Sequence, residues 1–169
     1  MSMTSPSPLL LLLVGVALQA TLCLGCPAPF KTFGGRWCLN VVVAAPKDGP
    51  GASLVWNEAR AACGEAASAL AVIDSHEKLQ LLSRFIDEQY PAETEGGWTY
   101  LVGAQNVNSK WIWSNSADVN LASNLWVPGH PTPQGETSLL VPIDQVHGRR
   151  YIISNAGSTR APGYICERF

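Results

Sequence analysis

The stretch WVPGHPTPQGE, residues 126–136, gathers side chains that could hold an ion or a ligand: Trp126, His130, Thr132 and Glu136. Pro131 sits between the imidazole and the hydroxyl and fixes the backbone there. Such a set could bind a hard cation through oxygen, bind a sugar by hydrogen bonding and stacking, or only hold a loop in shape. Acid–base chemistry needs more. The histidines are His76, His130 and His147; His76 falls in the first turn of a helix, on the surface, and His130 and His147 could meet Asp144 in space. No HExxH, GxSxG or paired-cysteine zinc spacing accompanies them. The chain is not expected to be an enzyme.

Those residues must be positioned by the elements around them. The stretch CPAPFKTFGGRWCLN reads as a hairpin turning at Gly34-Gly35, followed by a strand at LNVVVA and a loop at APKDGPGAS. The stretch SLVWNEARAACGEAA reads as the first helix, with Ser53 as its expected cap and Val55, Ala59, Ala62, Cys63 and Ala66 on one face. ALAVID is a short buried strand or link. A second helix runs through DSHEKLQLLSRFIDEQY, with Asp74 and Glu77 spaced as a capping box and Leu79, Leu82, Phe85 and Ile86 as its apolar stripe. Pro91 and ETEGG are expected to stop it. WTYLVGA, KWIWS, TSLLVPI, RRYIIS and GYICERF read as strands. Residues 114–136 show little periodicity, and so long an irregular loop inside a compact domain is usually functional. Strands, two helices, then strands around a loop argue for an α+β fold. Trp56, Trp98, Trp111 and Trp113 are expected in the core. Arg149 and Arg150 alternate on a hairpin edge that is ordinarily solvated, with acidic glycans or surface phosphates as possible ligands.

The run LLLLLVGVAL at residues 9–18 is uncharged and too short to span a bilayer; it suits the apolar centre of a secretory signal. Cleavage after Gly25 is expected, although MSMTSPSP contains no Lys or Arg. Residues 26–169 then form one secreted, extracellular domain that keeps the net charge of −2, no footprint for nucleic acid and no basis for membrane insertion. Cys23 departs with the signal. Cys26, Cys38, Cys63 and Cys166 remain, and an even count in a secreted chain implies two disulfides with three possible connectivities.

Seven pieces in order resemble the C-type lectin domain across the whole of residues 26–169. Cys26-Pro27 with Cys38 looks like the extra amino-terminal bridge of its long form. WNEARAAC resembles the first helix, ALAVIDSHEK the link into the second, and YLVGAQN the strand that often reads Trp-Ile-Gly-Leu. KWIWS, WVPGHP and the closing YICE follow in place. The resemblance implies two helices packed on small antiparallel sheets with a long irregular loop region, and the pairings Cys26–Cys38 and Cys63–Cys166. A further bridge usual in the family would join positions near Ser138 and Ser158, and neither is cysteine.

In sugar-binding members, Glu-Pro-Asn or Gln-Pro-Asp in the loop, a later Glu and a Trp-Asn-Asp hold a calcium ion that in turn holds sugar hydroxyls. The matching positions here are His130, Pro131, Thr132, Glu136, and Ile153, Ser154 and Asn155. Only Glu136 keeps its acid, so no calcium or other cofactor is expected; His130-Pro131 is expected to be cis, as the family's bond often is. Small soluble members of this form are common among invertebrates as innate-immune recognition proteins. The resemblance therefore implies binding of glycans or microbial surfaces through Trp126, His130, Pro131, Thr132, Glu136, Ser154 and Asn155. The alternative is a protein-binding or ligand-sequestering module with no sugar activity.

Overall fold

The computed structural model describes residues 25–43, 53–143, 150–156 and 160–169. The expected signal segment with Cys23, the loop at 45–52, Asp144, His147, Arg149 and Ser158 lie outside these residues.

The first hairpin joins β1 (Lys31–Phe33) to β2 (Trp37–Val43). Gly34 and Gly35 both take positive φ at its turn, which is why glycine stands at each. The hairpin strand and the strand expected after it are one element, β2. Further strands are β3 (Ala69–Leu70), β4 (Tyr100–Val107), β5 (Lys110–Ile112), β6 (Thr137–Ile143), β7 (Arg150–Ala156) and β8 (Gly163–Arg168). They form one network in the order β1-β2-β8-β4-β6-β7, with β3 on β8 and β5 on β4. The expected small antiparallel sheets are thus continuous, and the junction is the parallel pairing of β4 with β8 at Tyr100 and Leu101.

Helix α1 (Trp56–Glu65) buries Trp56, Ala59 and Cys63. Its cap is not Ser53: the Glu58 carboxylate accepts from the Val55 amide at 2.9 Å. Ala66 lies exposed beyond the helix end. The Trp56 indole donates to the Val102 carbonyl at 2.8 Å, fixing α1 to β4. Helix α2 (His76–Gln89) buries Leu79, Leu82 and Ile86 and leaves Phe85 half-buried. Its cap is Ser75 rather than Asp74, the hydroxyl accepting from the Lys78 amide at 3.3 Å. Pro91 does not only end α2; it opens a short helix α3 (Pro91–Glu95), since proline's fixed φ suits a first helical turn.

Two apolar clusters result. One places α2 against Tyr100, Val102, Trp111, Trp113, Trp126 and Ile153. The other places α1 against Leu70, Leu101, Leu139 and Cys166. Trp98, expected in the core, is only half-buried at its margin. The disulfides are Cys26–Cys38 and Cys63–Cys166, the pairing the resemblance implies. A buried ion pair adds a third tie. Lys78 Nζ donates to both carboxylate oxygens of Glu167 at 2.6 and 2.7 Å, and the Val72 amide donates to the same carboxylate at 2.9 Å.

Gly103 shows how tightly β4 passes the link after β3. A Cβ there would lie 2.5 Å from the Leu70 carbonyl oxygen and 2.9 Å from that of Ala71. Both are backbone atoms and cannot swing aside. Gly103→Ala should therefore lower stability by about 1–3 kcal/mol, the usual cost of overpacking. An unchanged urea midpoint would show that this contact yields freely.

Candidate functional site

The long loop is irregular but closely tied. Near its start, Trp113 N donates to the Ala117 carbonyl at 2.8 Å and Val119 N to that of Trp111 at 3.2 Å. The side-chain oxygens of Asn115, Asn120 and Ser123 each accept from the amide two residues on, at 3.0, 3.1 and 3.2 Å. These local turns explain why Asn and Ser crowd a segment without periodicity. Further on, Ile153 of β7 pins the loop from both sides. Its amide donates to the Leu125 carbonyl at 2.9 Å, and its carbonyl accepts from Val127 at 2.8 Å.

The proline segment follows. Gly129 takes φ +85° and His130-Pro131 is cis, as the resemblance implies. His130 N donates to the Val127 carbonyl at 2.9 Å, and Gly135 N to that of Thr132 at 3.0 Å. Asn106 on β4 then clamps the segment's far end. Its side-chain amide donates to the carbonyls of Pro133 and Gly135 at 3.2 and 3.1 Å, and its backbone amide to that of Glu136 at 2.8 Å. Sequence reasoning missed Asn106. Its one visible signal was an amide side chain where a strand meets an exposed hairpin turn, and only the tertiary contact gives that meaning.

The site residues divide by position. His130 and Ser154 come together, with Nδ1 at 3.4 Å from Oγ. Pro131 and Thr132 are half-buried, and the Glu136 side chain is exposed at the entry to β6. Asn155 pairs in register with Ser138 across β6 and β7. Trp126 is only 4% exposed and meets the Trp111 ring edge-on, with centroids 5.6 Å apart. It anchors the loop from beneath. Ser138, where the resemblance places a cysteine, is fully buried. Its hydroxyl accepts from the Ala104 amide at 2.9 Å and lies 3.0 and 3.3 Å from the carbonyls of Ala104 and Val102. These contacts span the irregularity of register between Val102 and Gln105 on β4.

Calcium takes six to eight oxygen ligands and depends on carboxylates among them. The described donors are one carboxylate, the Thr132 hydroxyl, and a Ser154 hydroxyl beside an imidazole. This set does not fit a calcium ion. Among the described residues no group of three or more His, Cys, Asp or Glu is placed to hold a metal.

The family description "Lectin C-type domain" matches residues 52–168, most of the chain. The chain belongs to the C-type lectin domain family. No curated protein matches it significantly. Among solved structures, this C-type lectin domain is similar to the SPL-1–GlcNAc complex, at 18% identity and TM-score 0.62 over 85% of this chain and 94% of the other. It is similar also to the C-type lectin domain of murine dendritic cell inhibitory receptor 2 in complex with N-glycan, at 18% identity and TM-score 0.57 over 85% and 98%. The herring type II antifreeze protein matches at 19% identity and TM-score 0.57 over the same shares. Identities this low carry the fold and nothing finer. Among the described residues no helix is long and apolar enough to cross a membrane.

Proposed function

We propose that this C-type lectin domain is a secreted, non-catalytic recognition protein that binds glycans or microbial surface ligands without the family's main calcium site. An innate-immune role follows from that reading. The observation that carries it is the proline segment itself: the cis bond and its supports at Asn106 and Ile153 are present, while His130, Thr132 and Ser154 stand where calcium-binding members place oxygen-rich acids and amides. The structural neighbours bound to N-glycan and to GlcNAc add support from the same fold. A glycan array run with and without a calcium chelator tests the reading. Retained binding, blocked by free sugars, supports it. Binding that sugars cannot compete would favour a protein-binding module, to which Leu121, 55% exposed on the same loop, also lends itself.

Millimolar calcium should not raise the melting temperature. Extracellular modules with several carboxylates reach only about 10⁻⁴–10⁻³ M, and losing even ~1.4 kcal/mol weakens a site tenfold. The variant His130→Glu, Thr132→Asn, Ser154→Asn and Asn155→Asp, with Pro131 kept, should acquire a calcium-dependent shift, because stabilisation follows RT ln(1 + [L]/Kd). A clear calcium shift in the unaltered protein would overturn the proposal.

A further inference from the structure

A pocket of about 180 Å³ opens beside Trp126. It is lined by the link before α2 and by the first half of the loop. Its apolar lining comes from Val72, Ile73, Trp113, Leu125 and Trp126. Its polar lining includes Asp74, Asn115, Asn120 and Ser123. We infer that it is a binding site for a single pyranose ring, separate from the proline segment. The inference rests on the reading of glycan recognition and shares only Trp126 with the residues expected for it.

Size sets the first limit. An engineered cavity of ~150 Å³ takes one benzene ring, so this pocket holds one six-membered ring and little more. The polar groups set the chemistry. Asn115 and Asn120 each spend their carbonyl oxygen on a loop amide at 3.0 and 3.1 Å. That fixes the orientation of both side chains and leaves their NH2 groups as donors. Asp118 also lines the pocket, and its carboxylate is met by Lys110 at 2.6 Å. Among the described residues Asp74 has no hydrogen-bond or ion-pair partner, which leaves its carboxylate as an acceptor.

One free carboxylate beside two amide donors is a poor match for an organic cation, which offers the amide donors no acceptor. It matches a polyol, in which each hydroxyl both donates and accepts. The apolar lining then receives the C–H face of the ring. No metal is needed in this arrangement, since the acceptors and donors belong to the protein.

The test is titration of ¹⁵N-labelled protein, in EDTA, with the methyl α-glycosides of mannose, glucose, galactose and N-acetylglucosamine. Amide and indole resonances around Trp113, Asn115, Asn120 and Trp126 should shift saturably with at least one of them. Asp74→Asn removes the charged acceptor. Asn120→Asp removes the donor but keeps the oxygen that holds the Ala122 amide. Both side chains are exposed, so both variants should fold, and each should weaken binding about tenfold, the worth of one hydrogen bond to a charged or well-placed group. No saturable shift with any glycoside would overturn the inference. So would shifts indifferent to both variants, or tetramethylammonium moving these resonances while the sugars do not. Shifts confined to residues 130–136 would also overturn it, while leaving glycan recognition by the loop standing. Pocket shifts intact with glycan binding unchanged in Glu136→Ala would do the reverse.

Discussion

Lys78→Met should destabilise the domain by about 3–5 kcal/mol, because it strands the Glu167 carboxylate without its counter-charge in a buried site. The two side chains are only 2% and 4% exposed, so water cannot replace the lost ammonium. The ammonium also lies 5.4 Å from the Trp37 ring centroid, a smaller contribution lost with it. The double variant Lys78→Met with Glu167→Gln should recover most of the loss. Glutamine removes the stranded charge and keeps an oxygen for the Val72 amide, which otherwise donates to Glu167 at 2.9 Å. Urea unfolding of the wild type, both single variants and the double variant measures the coupling. A double variant no more stable than Lys78→Met would show that the damage comes from packing around the lysine stem and not from charge.

Removing Cys63–Cys166 with alanines at both positions should cost up to about 4.7 kcal/mol, against roughly 3 for Cys26–Cys38, when unfolded-chain entropy sets the scale. The sequence separations of 103 and 12 residues drive that difference. Cys63 and Cys166 are also buried in the α1 cluster, whereas Cys26 and Cys38 are half-buried at its edge. Packing loss therefore acts in the same direction as chain entropy. Thermal melts of the two alanine pairs read the ranking directly. Equal losses, or a larger one for the short bridge, would mean that the amino-terminal hairpin organises more of the fold than its length implies.

The fold was legible where period and punctuation agree. Gly34-Gly35 marked the first turn, Leu79, Leu82 and Ile86 marked the face of α2, and YICE marked the last strand. Helix entry was read one or two residues wrongly at both helices. At α1 the acceptor comes from Glu58 inside the helix, not from a hydroxyl before it. At α2 two capping residues, Asp74 and Ser75, stand side by side, and spacing alone does not choose between them. Pro91 was read as a stop because the same residue that cannot continue a helix is well suited to open one. At the site, the proline segment and its cis bond were legible only through resemblance. Asn106, the tie through Ile153 and the pairing of Lys78 with Glu167 were not legible, because each joins residues far apart in the chain through contacts that no local pattern records. Asp74, taken as a cap, instead lines the pocket with its carboxylate open.

Ser138 makes the missing bridge hard to regain. An ancestral or engineered return to cysteine there would exchange an oxygen that accepts from Ala104 and lies within reach of two carbonyls for a sulfur that does each of these weakly. The buried Ala104 amide would lose most of its partner at once, while any benefit would wait on a second change near Ser158. The step at Ser138 alone is downhill in stability, and only a cysteine partner for it could reverse that loss. The hydroxyl thus acts as a ratchet in sequence space: seated in the irregularity of β4, it sets a valley between this chain and a three-bridge form that the change at Ser138 alone cannot cross.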